Sequence, residues 1–325
     1  MLLELFGGLT YLLLCGDLLV RGSVALAKRA GISPMVVGLT VVAFGTSAPE
    51  LFISLGAVFK GHPGVAIGNI VGSNIANVLL VLGAPAILYP TLCNQASLAR
   101  DTAIMLSATL AFGLLCFLGP IGPVQGGLMF AAMLFLIVRM ARRERGEPDA
   151  EAAAEQELER GLGLPTRRRM IVLFIGLGAA GLPLGAQLMV DGAVQLARSA
   201  DVSDATIGLS IVALGTSLPE LATTIVAALH RHSDVALGNV LGSNLFNILA
   251  IMGITAMVAP QAIPVPPSLL QFDLFVMTGA ALILAYFAFT QRTIGRTAGI
   301  ALVIGYASYL AVLFTLSASP AIPAP

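Results

Sequence analysis

Gly38–Leu51 reads GLTVVAFGTSAPEL, and Gly208–Leu221 reads GLSIVALGTSLPEL. A second peptide follows each copy: GNIVGSNIANVLLVLG over Gly68–Gly83 and GNVLGSNLFNILAIMG over Gly238–Gly253. The two pairs share one offset, since 208 − 38 and 238 − 68 are both 170. The chain is therefore an internal duplication. Each copy sets one carboxylate, Glu50 or Glu220, among hydroxyls and amides inside an apolar run. Ionisable groups are costly at membrane depth and mark function where they occur.

The rest of the chain is built to be membrane-embedded. Of its 325 residues 57% are hydrophobic and only 10% charged, with a mean hydropathy of +0.94; a soluble domain carries about 25% charged residues. A bilayer core takes about 20 apolar residues per helix. Ten segments meet that length: 2–28, 35–59, 64–88, 102–118, 122–141, 170–197, 205–229, 234–258, 272–290 and 297–317. The expected fold is an all-α membrane protein of ten transmembrane helices. Five helices per copy is an odd number, so the second copy enters the membrane in the opposite sense and the repeats have inverted topology. The expected organisation is a first repeat over 1–141, a linker over 142–169 and a second repeat over 170–325.

Charge fixes the expected orientation. With the N-terminus outside, inside loops hold fourteen Lys and Arg residues and outside loops only Lys60 and Arg198, a positive-inside bias. Both termini are then outside the cell's inner (plasma) membrane, and the polar linker, with its Ala/Glu-rich middle, is cytoplasmic. Residues 16–33 align with 186–203 at the same offset, so the first apolar segment is expected to be one half of a pair rather than a cleaved leader. Cys15, Cys93 and Cys116 are dispersed among apolar residues and suggest no disulfide framework. Asp17 and Arg21 are spaced for a local ion pair, Asp191 has no evident partner, and His62 and His232 fall in loops.

The repeated motifs carry the chemistry. In GTSAPE, Pro49 lacks an N–H and its ring clashes with the preceding turn, so the helix is expected to break and release carbonyls near Ala43–Thr46. Thr46 and Ser47 add hydroxyls at the break, and Glu50 adds charge in the first turn of the next half-helix. Ala213, Thr216, Ser217, Pro219 and Glu220 repeat the arrangement. In GSNIAN, Ser73 and Asn77 are four apart and share a helix face; Ser243 and Asn247 do the same. Hydroxyls, amides, carbonyls and two carboxylates can supply the roughly 6–8 oxygens that Ca²⁺ takes. With no His or Cys at these positions, a soft transition metal fits poorly. Singly, such polar residues are often interhelical glue; two copies in register point to a transporter for a hard cation.

At these residues the chain resembles the calcium/cation antiporter superfamily, and its GTSxPE and GSNxxN motifs are similar to the alpha repeats of sodium/calcium exchangers, particularly the short prokaryotic members. The resemblance covers essentially the whole chain. It implies four central cation sites in a diamond. The ligands implied are Ala43, Thr46, Ser47, Glu50, Ser73 and Asn77 with Ala213, Thr216, Ser217, Glu220, Ser243 and Asn247, the alanines acting through their carbonyls. It further implies that the first and sixth helices slide across a rigid core. Where many sodium/calcium exchangers and the potassium-dependent branch carry Asp, this chain has Asn247, which counts against potassium co-transport. Gly72 and Gly242 stand near positions that are acidic in proton/calcium exchangers, which favours sodium as the driver.

The expected activity is Na⁺/Ca²⁺ antiport by alternating access at a shared oxygen site, with exchange of H⁺ for Ca²⁺ or another divalent cation as the alternative on the same fold. A channel would need a continuous pore, which the paired broken helices disfavour. Nothing in the sequence has the spacing of a nucleophile–base pair, a phosphate loop or a metal hydrolase, so no enzyme, no cofactor and no nucleic-acid partner is expected. Ca²⁺ and Na⁺ are the expected substrates, and the lipid bilayer is the setting.

Overall fold

A computed structural model of the chain describes residues 2–95, 97–143, 164–199 and 213–318. Eleven helices organise them: α1 (Leu2–Ala30), α2 (Pro34–Thr46), α3 (Ala48–Phe59), α4 (Pro63–Leu88), α5 (Leu98–Leu118), α6 (Pro123–Arg143), α7 (Arg168–Ser199), α8 (Leu218–Leu229), α9 (Ser233–Val258), α10 (Leu269–Thr290) and α11 (Arg296–Ala318). Eight of them are long and apolar enough to cross a bilayer, and α2 with α3 passes as one span bent by 46°. The seventh expected span, 205–229, is described only from Ala213, through a short turn Ala213–Gly215 and then α8. The middle of the 142–169 linker lies outside the described residues.

The expected boundaries hold to within a few residues because each span is closed by a recognisable signal. Ser33 caps α2, and Pro34 opens it; Pro63 and Pro123 open α4 and α6, where a missing N–H costs nothing. Phe6, Leu14, Phe52, Leu114, Phe117 and Phe275 are exposed around the rim, as a hydrocarbon solvent requires.

The layers are set by α4 and α9. Of their most apolar stretches 72% and 89% are buried, against 22–39% for the other single spans. These two helices form the centre, and α2, α5, α8 and α10 pack on them. α1 and α7 pair outside this core, with Leu12, Leu19, Leu182 and Ala186 buried together with Ala222 and Val226 of α8. Small residues allow the closest approaches. A Cβ on Gly238 of α9 would sit 2.5 Å from the Met35 carbonyl and 3.1 Å from the Gly38 Cα of α2.

Two antiparallel bridges tie one half to the other. Thr91, after α4, exchanges both backbone bonds with Ile294 at 3.0 and 2.9 Å; Ile121, after α5, does so with Ile263 at 2.9 and 2.9 Å. Four segments depart from α geometry into π-helix: Gly38–Val42, Asn77–Val81, Phe246–Ile251 and Leu269–Asp273. Each single extra residue rotates the side chains beyond it, and such bulges are frequent at functional sites. Cys15, Cys93 and Cys116 are free and buried.

Candidate functional site

The span broken in each half stops at the same residue. Ser47 has φ −87°, ψ 7° and Ser217 has φ −88°, ψ 3°, neither strand nor helix. α3 then starts with Pro49 in its first turn, and α8 with Pro219. This places Glu50 and Glu220 at the N-terminal ends of half-helices, where the helix dipole favours negative charge. Both are 1% exposed, and the hydroxyl of Ser47, three residues before Glu50, bonds to the Glu220 carboxylate. Among the described residues no Lys, Arg or His pairs with either.

One expectation is corrected. The Ala43 carbonyl is not released by the break. It accepts the Ser47 N–H at 2.9 Å, and the Thr46 hydroxyl lies 3.3 Å away. The helix persists one residue further than the GTSAPE pattern suggests, because Ser47 still closes a bond. The missing donor is the N–H that Pro49 lacks, so it is the Gly45 carbonyl that loses its helical partner.

The two halves interlock at the break. The Ser47 hydroxyl donates to Glu220 Oε1 at 3.0 Å, and the Thr46 hydroxyl reaches Asn239 Oδ1 at 3.2 Å. Asn239 Nδ2 in turn donates to the Glu220 carbonyl at 3.4 Å and to Thr224 Oγ1 at 3.0 Å. The inverted copy repeats this: Asn69 Nδ2 donates to the Glu50 carbonyl at 3.3 Å and to Ser54 Oγ at 3.1 Å. These bonds staple each half-helix to the central helix that follows it.

On α4 and α9 the amides cross over. Asn77 Nδ2 donates to Asn244 Oδ1 at 3.1 Å, and Asn247 Nδ2 donates to Asn74 Oδ1 at 3.2 Å. Asn77 and Asn247 also sit where the ladder opens into π-helix; their carbonyls accept the N–H groups of Leu82 and Met252, five residues on. Ser73 and Ser243 are buried one turn earlier on the same face.

Five buried oxygens here meet no donor among the described residues: Glu50 Oε2, Glu220 Oε2, Asn77 Oδ1, Asn247 Oδ1 and Ser243 Oγ. A buried polar atom left unpaired costs about 1–3 kcal/mol, and these five are oxygens that a positively charged guest would satisfy. No cluster of three or more His, Cys, Asp or Glu occurs among the described residues; the donor set is hard oxygen. Of the twelve expected residues, Glu50, Glu220, Thr46, Ser47, Asn77, Ser243 and Asn247 are joined by these contacts or share this unpaired character. Ser73 and Ser217 are buried beside them and Thr216 is half-buried at the second break. Ala213 opens the turn preceding it.

Six participants escaped the sequence reading: Ser54, Asn69, Asn74, Thr224, Asn239 and Asn244. The signal was present, since all six recur at the 170 offset as Ser54/Thr224, Asn69/Asn239 and Asn74/Asn244. Away from the centre, Asp17 pairs with Arg21 at 3.0 Å as expected, and it also meets His230 Nε2 at 2.6 Å, a partner no spacing rule reveals. Asp191 and His62 are exposed.

Comparison with known proteins agrees with this geometry. A family model described as sodium/calcium exchanger protein matches residues 2–141 and 170–315. The inner membrane protein YrbG of Escherichia coli strain K12 is 35% identical over 95% of this chain and 95% of its own. The sodium/calcium exchanger MaX1 of Methanosarcina acetivorans is 33% identical over 94% and 96%. The solved structure of the sodium-calcium exchanger NCX_Mj, soaked with zero Na⁺ and Ca²⁺, superposes with a TM-score of 0.80 at 28% identity, covering 95% of this chain and 97% of that one. The ten-helix fold with two inverted repeats is thus established, in a multi-pass membrane protein that transports rather than catalyses. The chain belongs to the sodium/calcium exchanger family of cation antiporters.

Proposed function

We propose that this protein exchanges Na⁺ for Ca²⁺ across the membrane by alternating access, at one site that holds either Ca²⁺ or Na⁺ and never both loads at once. The observation that carries the reading is the group of five buried oxygens, drawn from both halves, that no donor among the described residues reaches. Glu50 and Glu220 supply two negative charges, which balance one Ca²⁺ or are shared among Na⁺ ions. The remaining ligands are Thr46, Ser47, Ser73 and Asn77 with Thr216, Ser217, Ser243 and Asn247, and the carbonyls of Ala43 and Ala213. At Ala43 the ion competes with the Thr46 hydroxyl, which turns away when the ion arrives.

The same charges couple the two fluxes. Closing a dry site around two unpaired carboxylates is costly, because a buried charge needs a partner. A loaded site is neutral and can close. Either cargo permits the switch between openings, and an unloaded site resists it, so exchange follows without a separate gate. Sodium as the driver is supported by neutral oxygens at the remaining ligand positions, by Gly72 and Gly242 beside Ser73 and Ser243, and by the naming of MaX1 and NCX_Mj as exchangers of sodium and calcium. We place the protein in the cell's inner (plasma) membrane, with both termini outside and the 142–169 linker between repeats 1–141 and 170–325 in the cytoplasm, from the distribution of Lys and Arg.

Proteoliposomes holding the full chain test this. An imposed Na⁺ gradient should drive radiocalcium uptake at constant pH, and a pH gradient without Na⁺ should not. Glu50→Gln and Glu220→Gln should each abolish uptake. Uptake driven by the pH gradient alone would transfer the reading to proton/calcium exchange; normal uptake by either variant would remove the site.

A further inference from the structure

Asn77 and Asn247 can serve a cation only with their oxygens turned toward it. A primary amide has two nearly equal ends, one that only accepts and one that only donates, and the donor end repels a cation. Packing distinguishes them poorly, so something must choose. The choice is made two residues away from the cation. Asn244 Nδ2 lies 3.4 Å from Met105 Sδ on α5. A thioether sulfur has no hydrogen and can only accept, so the amino end of Asn244 must face it. The Asn244 oxygen then faces the other way, where it takes the Asn77 Nδ2 at 3.1 Å. With its amino end committed, Asn77 is left with Oδ1 buried and unpartnered. The inverted half repeats each step. Asn74 Nδ2 lies 3.8 Å from Met277 Sδ on α10, Asn74 Oδ1 accepts from Asn247 Nδ2 at 3.2 Å, and Asn247 Oδ1 is left buried and unpartnered.

We propose that Asn74 and Asn244 are positioning residues, and that Met277 and Met105 set their orientation, so that each sulfur fixes through one amide which end of Asn247 or Asn77 faces the cation. Reversing Asn77 or Asn247 alone sets two amide oxygens against each other, and reversing Asn244 or Asn74 sets an amide oxygen against sulfur lone pairs, so the order from sulfur to site is unique. All six side chains are at most 3% exposed, which leaves no water to compensate a flip. The inference rests on the reading that Asn77 and Asn247 ligate the cargo. It adds four residues that touch no ion and still decide what the ion meets.

The test compares wild type, Met105→Leu, Asn244→Leu and Asn244→Asp as full chains in proteoliposomes, reading the KM for radiocalcium under a fixed Na⁺ gradient, with thermal unfolding of each purified protein in the absence of Ca²⁺. Asn244→Leu removes the acceptor and frees Asn77 to rotate; its KM should rise about tenfold, the scale of one hydrogen bond to a charged group. Met105→Leu, a nearly volume-conserving change, should raise KM severalfold. Asn244→Asp keeps an oxygen for Asn77 in either protonation state and should leave KM within a few-fold of wild type. If Asn244 only braces α4 against α9, the order inverts: Leu is tolerated, the buried Asp is damaging, and unfolding temperature changes while KM does not. That pattern, or a wild-type KM in both Leu variants, overturns the inference. Should Asn244→Leu fail to fold, Met105→Leu decides alone. Wild type taking up no Ca²⁺ under the Na⁺ gradient sinks the proposed function first, and this inference with it.

Discussion

Replacing Gly238 with Ala should open the site without touching any proposed ligand. The added Cβ would lie 2.5 Å from the Met35 carbonyl, 3.1 Å from the Gly38 Cα and 3.1 Å from the Leu39 N. All three are backbone atoms of α2, so no flexible side chain can yield. Restoring an ordinary separation of 3.4 Å from the carbonyl moves the two helices apart by about 0.9 Å (3.4 − 2.5). The neighbouring residue is Asn239, whose bond to Thr46 is already 3.2 Å long; an added displacement of that size breaks it. Overpacking of this kind costs about 1–3 kcal/mol, which lowers the unfolding temperature by several degrees. Transport should suffer more than stability, because placement errors near 1 Å can cost on the order of a hundredfold where geometry is demanding; at least a tenfold loss of radiocalcium uptake is expected. Gly279→Ala is the control: its Cβ meets nothing within 4 Å, and both properties should stay near wild type. Equal uptake by Gly238→Ala and wild type would refute the claim that close contact of α2 with α9 sets the spacing of the site.

Glu220→Gln should melt at or above the wild-type temperature in chelator, since it removes a buried charge that has no basic partner among the described residues, and Ca²⁺ should no longer stabilise it; a lower melting point in chelator would show that the carboxylate holds the fold together. Asn239→Leu strips the partner from the Thr46 hydroxyl, the Glu220 carbonyl and Thr224 at once, and chemical unfolding should show a loss of about 3 kcal/mol. Asp17→Ala removes one carboxylate that serves both Arg21 and His230, but these side chains are a quarter or more exposed, and Arg21 keeps its stacking over the Phe174 ring at 5.5 Å. The expected loss is therefore only about 1 kcal/mol or less, read from the same unfolding curves.

The sequence exposed what depends on composition and on covalent rules, and concealed what depends on how two helices cross. Span limits were legible because apolar length and proline have direct physical consequences, and the breaks at Ser47 and Ser217 followed from Pro49 and Pro219. The repeat also told which residues come in pairs. It could not tell which partner each one takes. Asn77 bonds to Asn244 rather than to its own equivalent Asn247, and that choice requires the crossing of α4 with α9. The π-helical turns at Asn77–Val81 and Phe246–Ile251 have no sequence signature either, since an extra residue in a turn is imposed by the packing around it. Ala43 was misjudged for a related reason: whether its carbonyl is freed depends on whether Ser47 still presents its N–H, which it does at 2.9 Å. Around the site the two-fold repeat makes such features come in pairs, as the π-helical turns at Asn77–Val81 and Phe246–Ile251 do. A single sulfur, amide or bulge in one half carries no such weight; its recurrence about 170 residues away, in a half inserted the other way up, requires that the same local sequence meet the same neighbours in both copies. Residues whose contacts match across the halves, such as Asn69 with Asn239 and Asn74 with Asn244, are therefore where the site's geometry is held.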